Sequence, residues 1–211
     1  LLEVQEAERK ALALDIHDNV GAAIAALRYR LERRLPDAAP EEAPALQTDI
    51  ALARAVCDEI RRIQVALRPC MLDDIGIGAT LRWFGQHFDQ SHPELRVGMT
   101  IAASESGIPE ELKIVLFRVA QEAMANAARH SGGTRVDVRL ERVPAGLRLS
   151  VADDGGGMNP AEGEGATGSG VGLGSMRERV EWSGGRLTLR STAKAGVVVI
   201  AEWPLESTGA G

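Results

Sequence analysis

The sequence predicts an α-helical hairpin over residues 1–72, followed by an α/β sandwich with a mixed or mostly antiparallel sheet over residues 73–211. Three observations carry this reading. Apolar residues recur at steps of three and four through two long runs before residue 70. The stretch PDAAPEEAP, residues 36 to 44, separates those runs with three prolines that no helix interior accepts. After Pro69 short alternating β-type runs interleave with helices.

The first run, from Glu6 to Leu35, places Ile16, Val20, Ala23, Leu27 and Leu31 on one predicted helical face. The proline-rich stretch reads as the hairpin loop. In the second run Leu46, Ile50, Ala53, Cys57, Ile60 and Leu67 are spaced by threes, fours and one seven, and the helix ends near Pro69. Two antiparallel helices leave part of each stripe wet, whereas two such hairpins close a four-helix bundle. A homodimer through residues 1–70 is therefore expected. Beyond it GATLRWFGQHF reads as helix, ELRVGMTIA as extended, and IPEELKIVLFRVAQEAMANAARH as a long helix entered after a proline. TRVDVRLERV and GLRLSVAD form a hairpin through PAG. A glycine-rich stretch, a helix from Leu173 to Trp182, and the strands RLTLRST and VVVIAEW complete the chain.

Composition narrows the class. With 211 residues, 45% of them hydrophobic, the chain can bury a core. A net charge of −6 offers no basic footprint for nucleic acid. Cys57 and Cys70 have neither metal-ligand nor redox spacing, which suits a reducing compartment. There is no secretory signal and no apolar run near the roughly 20 residues that span a bilayer, so the chain as given reads as soluble.

Candidate chemistry lies in the second half. Glu122, Asn126 and His130 are spaced by four and form a polar ladder on an otherwise apolar helix. Such a ladder is either a solvated face or faces a ligand. Asp153 ends a strand, where it either opens a simple β-turn or accepts a hydrogen bond from an exocyclic amine such as that of adenine. Gly155 and Gly157 would let the chain pass close to such a base. Nine glycines occupy residues 155 to 174 and lead into a helix, an arrangement that can offer backbone N–H groups to phosphates. No Lys-Ser or Lys-Thr follows the last glycine, which rejects a P-loop, and the even spacing of Gly168, Gly170, Gly172 and Gly174 rejects a dinucleotide fingerprint.

Taken in order, HDNVG, LRPCMLDDIGI, FRVAQEAMANAARHS, DDGGGM and GVGLGSMRERVEWSGG resemble the successive boxes of bacterial sensor histidine kinases. The likeness is to the NarX/DesK-like subfamily, whose partners are NarL/FixJ-type response regulators, and it covers residues 5 to 204. It implies a dimerisation and histidine-phosphotransfer hairpin followed by a GHKL (Bergerat) ATP-binding sandwich. It also implies a reaction, ATP-dependent phosphorylation of His17 and transfer to a regulator aspartate, with Asp18 orienting or deprotonating the ring. Asn126 would hold Mg²⁺, with Glu122, Arg129 and His130 near metal or phosphates. Asp153 would bind the adenine amine, Gly155 and Gly157 would shape that pocket, and Gly170 and Gly172 would line a lid over the phosphates. The resemblance further implies the cytoplasmic catalytic portion of a longer receptor.

His17 sits one position, about 100° of rotation, from the core residue Ile16. Its neighbours at i−4 and i+4 are Ala13 and Gly21, small enough to admit a phosphate. Two departures from the family stand out. Relatives carry Gln or His five residues after the phosphoacceptor to position the water that dephosphorylates the regulator; Ala22 stands here, implying weak phosphatase activity or another group such as Asn19. The Gly-Thr expected near the start of the last strand is Gly196-Val197, which removes a hydroxyl from or near the nucleotide pocket. Two rivals share the ATP boxes: a serine-kinase anti-sigma factor, which needs no histidine-bearing hairpin, and a degenerate ATP-binding dimerisation module without kinase activity.

Overall fold

A computed structural model describes residues 2–67, 71–157, 171–191 and 195–205. The chain divides into two compact units, Leu1–Asp74 and Ile75–Gly211.

In the first unit α1 (Leu2–Asp15) runs through a π-helical turn (Ile16–Gly21) into α2 (Ala22–Arg34), a short 3-10 turn follows (Leu35–Asp37), and α3 (Ala43–Leu67) returns antiparallel. Arg54 Nη2 on α3 reaches Glu32 Oε1 at 2.9 Å near one end, and Gln64 on α3 reaches His17 near the other. The π-turn corrects the predicted first helix. Each π-turn takes one more residue than an α-turn, which rotates everything after it by about 100°. The less exposed stripe therefore runs Ala13, Ile16, Gly21, Ile24, Arg28, Leu31, with one five-residue step across the π-turn. Val20 and Leu27, placed on one helical face with Ile16 and Leu31 in the sequence, are 48% and 47% exposed. Together with Leu12, Leu14, Leu52, Val56 and Ile63 they leave apolar surface open on the hairpin. On α3 the stripe holds: Leu46, Ile50, Ala53 and Ile60 are buried.

Helix α4 (Met71–Ser91) breaks at Gly76, whose φ of 80° and ψ of 173° interrupt the ladder. The N–H groups freed by the break, those of Ile77 and Gly78, donate to the Glu105 carboxylate at 3.0 and 3.3 Å. That is a helix cap supplied from a distant loop. The second unit continues with β1 (Arg96–Ile101), α5 (Glu110–His130), β2 (Arg135–Val143), β3 (Gly146–Asp153), α6 (Val171–Trp182), β4 (Arg186–Ser191) and β5 (Val197–Pro204). The sheet order is β1-β2-β3-β5-β4, with β1 and β2 parallel and the other pairs antiparallel.

Alternation along the strands sends Val136, Val138 and Leu140 of β2, Leu147, Leu149 and Val151 of β3, and Val199, Ala201 and Trp203 of β5 to one buried face. Register aligns them in rows: Val138 opposes Val151, which opposes Val199. Helix α5 covers this face through Leu116, Phe117, Ala120 and Met124. The opposite face is charged, with Arg148 bridging Glu141 and Glu202 across three strands. The result is a two-layer α/β sandwich with a mixed sheet.

Candidate active site

Helix α5 turns its last two turns toward the ends of β3 and β5, and a cleft of about 250 Å³ opens between them. Its apolar walls are Ala123, Ala127, Val151, Leu173, Leu189, Val197 and Val199, and its polar groups are Asn126, His130, Ser131 and Asp153. A mostly apolar cavity with a few convergent polar groups is the form of a small-molecule site. Of the residues singled out in the sequence, Asn126, His130, Asp153, Gly157 and Gly172 line it. Val197 lines it too, so a methyl group stands where the family pattern puts a hydroxyl.

Asp153 reaches the cleft because β3 ends there. Its Oδ1 accepts the Gly155 N–H at 3.0 Å, which fixes the carboxylate and leaves the rest of it available. The next residue faces elsewhere. Asp154 accepts from the N–H groups of Thr134 and Arg135, each at 2.8 Å, and from the Thr134 hydroxyl at 3.0 Å. The Arg135 N–H leads the causes that hold the Asp154 carboxyl below its ordinary range, and the Thr134 donors add to it against a smaller effect of burial. Gly155 is a packing requirement: a Cβ there would run into the Ser131 carbonyl, and the Gly156 N–H donates to that same oxygen at 2.8 Å. At Gly196, φ 73°, a Cβ would strike the Asp153 carbonyl.

At the mouth, Arg129 Nη2 donates to Asn126 Oδ1 at 3.0 Å and to Glu122 Oε1 at 3.2 Å. Glu122 and Arg129, also singled out in the sequence, are not among the cleft-lining residues; Arg129, tied to Glu122, holds the Asn126 carbonyl. Gly172 comes so close to Glu122 that a Cβ would overlap its carboxylate. Two side-chain oxygens converging on one cation suit a divalent ion that keeps water and phosphate ligands; such an ion takes one or two protein oxygens. Among the described residues there is no cluster of three or more His, Cys, Asp or Glu side chains that could hold a metal unaided. Gly170 lies outside the described residues.

In the first unit the His17 side chain is exposed at the π-turn, and its Nδ1 lies 3.2 Å from Gln64 Nε2. Asp18 is exposed. Asn19 is engaged with Asp15 at 2.5 Å. Sequence reading passed over Gln64, yet it fills the seven-residue gap in the α3 stripe, four after Ile60 and three before Leu67.

Comparison with known proteins agrees with both units. Residues 8–72 match the family described as histidine kinase, and residues 111–207 match the histidine kinase-, DNA gyrase B- and HSP90-like ATPases. The sensor histidine kinase MctS of Rhizobium johnstonii is 32% identical over 97% of this chain and 44% of its own length. The signal transduction histidine-protein kinase/phosphatase DegS of Brevibacillus brevis is 29% identical over 97% of this chain and 53% of its own. The chain thus spans about half the length of these relatives. Among solved structures, the histidine kinase domain of the Erythrobacter litoralis EL346 blue-light activated histidine kinase shares the fold, with a TM-score of 0.57 and 17% identity over 87% of this chain and 94% of that one. A helical hairpin that matches the histidine kinase family and an ATPase-type sandwich, in order along one chain, place it in the sensor histidine kinase family, among the NarX-like members.

Proposed function

We propose that this chain is the catalytic core of a two-component sensor kinase. Residues 1–72 serve as the dimerisation and phosphotransfer hairpin and residues 73–211 as the ATP-binding domain. It phosphorylates itself on His17 and passes the phosphoryl group to an aspartate of a NarL/FixJ-type response regulator. The observation that carries this reading is the α5 cleft, which has Asp153 among apolar walls and Asn126 and His130 as polar groups.

An adenine ring slides between Val151, Leu189, Val197 and Val199 and donates its amine to Asp153. The phosphates then lie toward the mouth, where Asn126, with Glu122, would hold Mg²⁺, and Arg129 and His130 would meet phosphate oxygens. Mg²⁺ supplies neutralisation of charge on the transferring group. Gly172, and Gly170 with it, would close over the phosphates, while Gly155 and Gly157 keep backbone close to the base. Asp18 is the neighbouring carboxylate that would take a ring proton. The open apolar surface of the hairpin supports a homodimer that closes a four-helix bundle. No helix among the described residues is long and apolar enough to cross a membrane. We place the chain in the cytoplasm, as part of a longer receptor.

The test is incubation of the protein and a His17→Gln variant with γ-labelled ATP and Mg²⁺. Label that is acid-labile, alkali-stable and absent from the variant is expected. Acid-stable label would instead indicate a serine kinase, and ATP binding without label a degenerate module. In the same assay, added phospho-regulator and ADP should show slow dephosphorylation, because Ala22 offers no group to orient water.

A further inference from the structure

Gln64 lies in the stripe of α3 that is otherwise apolar, flanked by Ile60 one turn before and Leu67 one turn after. It is 8% exposed, one of three buried polar or charged residues among those described, with Thr80 and Arg118. A carboxamide in such a place is unfavourable unless it is hydrogen-bonded. Its partner is Nδ1 of His17, 3.2 Å away and 47 residues earlier. Two features bring the two together. The π-turn inserts one residue at His17 and redirects the helix face there. The stripe on α3 then aims the amide at the ring from the buried side, leaving Nε2 on the exposed side.

We infer that Gln64 is a positioning residue for the phosphoacceptor: its carboxamide binds Nδ1 of His17 and sets which ring nitrogen carries the proton. This rests on the reading of His17 as the phosphorylated residue. A neutral imidazole has one N–H, and the hydrogen bond made by one nitrogen decides the state of the other. In the orientation seen, the amide nitrogen faces Nδ1, so Nδ1 accepts and the proton resides on Nε2. A half-turn of the amide presents its carbonyl instead, without displacing any other atom. Nδ1–H then donates to Gln64 Oε1, and Nε2 offers its lone pair outward. In the transfer, Nε2 forms a bond to the γ-phosphorus while the bond from phosphorus to the bridging oxygen breaks, and ADP departs with that electron pair. The positive charge left on the ring is stabilised through Nδ1–H by the amide oxygen until that proton leaves the ring, to Asp18 in the role proposed for it.

The test compares Gln64→Leu, which removes the hydrogen bond at similar volume, with Gln64→Glu, which can only accept. Autophosphorylation is measured at about pH 8.5, above the ordinary titration range of imidazole. Gln64→Leu should lower kcat roughly tenfold, the equivalent of one hydrogen bond to a developing cation, with KM for ATP unchanged. Gln64→Glu should stay within about threefold of the parent by the same reasoning. In parallel, ¹⁵N shifts of the His17 ring, assigned with His17→Gln, should place the proton on Nδ1 in Gln64→Glu and mainly on Nε2 in Gln64→Leu. Equal kcat in Gln64→Leu and the parent, or the same tautomer in both variants, would overturn the inference. If the parent takes no label at His17 the proposed function fails, and the nitrogen shifts still decide whether Gln64 controls the ring.

Discussion

Asp153 and Asp154 are adjacent in sequence and opposite in task. The first lines the cleft and spends one oxygen on the Gly155 N–H; the second ties the end of β3 to the start of β2 through Thr134 and Arg135. Replacing each by asparagine or alanine should separate the two. Asp153→Asn should weaken ATP binding about tenfold to a hundredfold, by reversing one hydrogen bond to a charged acceptor, with little change in melting temperature. Asp154→Ala should lower stability by about 1–2 kcal/mol with ATP affinity nearly unchanged. Isothermal titration and thermal unfolding of both proteins check this, and a loss of affinity confined to Asp154→Ala would exchange the assignments. Sequence singled out Asp153, which does line the cleft, but it was silent on Asp154, whose task depends on contacts to residues 20 positions away. Gln64 was readable in principle as the polar residue filling a gap in an apolar stripe. Its partner was not, since nothing local links positions 17 and 64.

At the scale of elements, both long helices, the succession of strands along the chain and the α5 ladder were legible from period alone, because burial on one face imposes those periods; the sheet order was not. The π-turn was hidden. One extra residue leaves a second series of apolar residues at steps of three and four, Val20, Ala23 and Leu27, and only the packing against α3 reveals which series turns inward. Gly21 belongs to this turn with helical φ and ψ, −62° and −46°. An added Cβ there meets nothing closer than 3.5 Å. Gly21→Ala should therefore stabilise the hairpin by about 0.5–1 kcal/mol, the helix-interior difference between the two residues. Urea unfolding followed by circular dichroism measures it, and a destabilised variant would show that the turn needs the freedom of glycine. A faster or slower autophosphorylation in the same variant reports separately on access to the ring.

At the scale of the molecule, the carboxyls among the described residues that are held below their ordinary range lie in the second unit. Burial pushes the Glu105 carboxyl up, but the Ile77 N–H, the Lys113 ammonium and the Gly78 N–H outweigh it together, so the group titrates below its ordinary value of 4.5. Asp137, held down first by Arg135, and Asp154, held down first by the Arg135 N–H, titrate below 3.8. A group that binds its proton more weakly when folded contributes its stability above the unfolded value and loses it as pH falls through the folded one. The melting temperature of the second unit should hold from neutrality to about pH 4.5 and fall below it. Glu105→Gln should melt lower at neutrality, having weakened the cap on Ile77 and Gly78, and should show a shallower acid slope. A parallel acid slope in the two proteins would remove Glu105 from the account.

The strand order has a consequence for how the protein is made. Strand β5 is the last of the five to be synthesised, yet it lies between β3 and β4 and carries Val197 and Val199 into the cleft wall. On the ribosome, where chains emerge N-terminus first and domains fold as units, the sheet has a gap beside β3 until residues 197–204 have cleared the exit. The hairpin of residues 2–67, complete more than a hundred residues earlier, is by then free to find its helical contacts. A nascent chain thus acquires the His17 turn well before the cleft has its last wall, and a chain interrupted short of β5 would carry the hairpin beside an open-sided sheet.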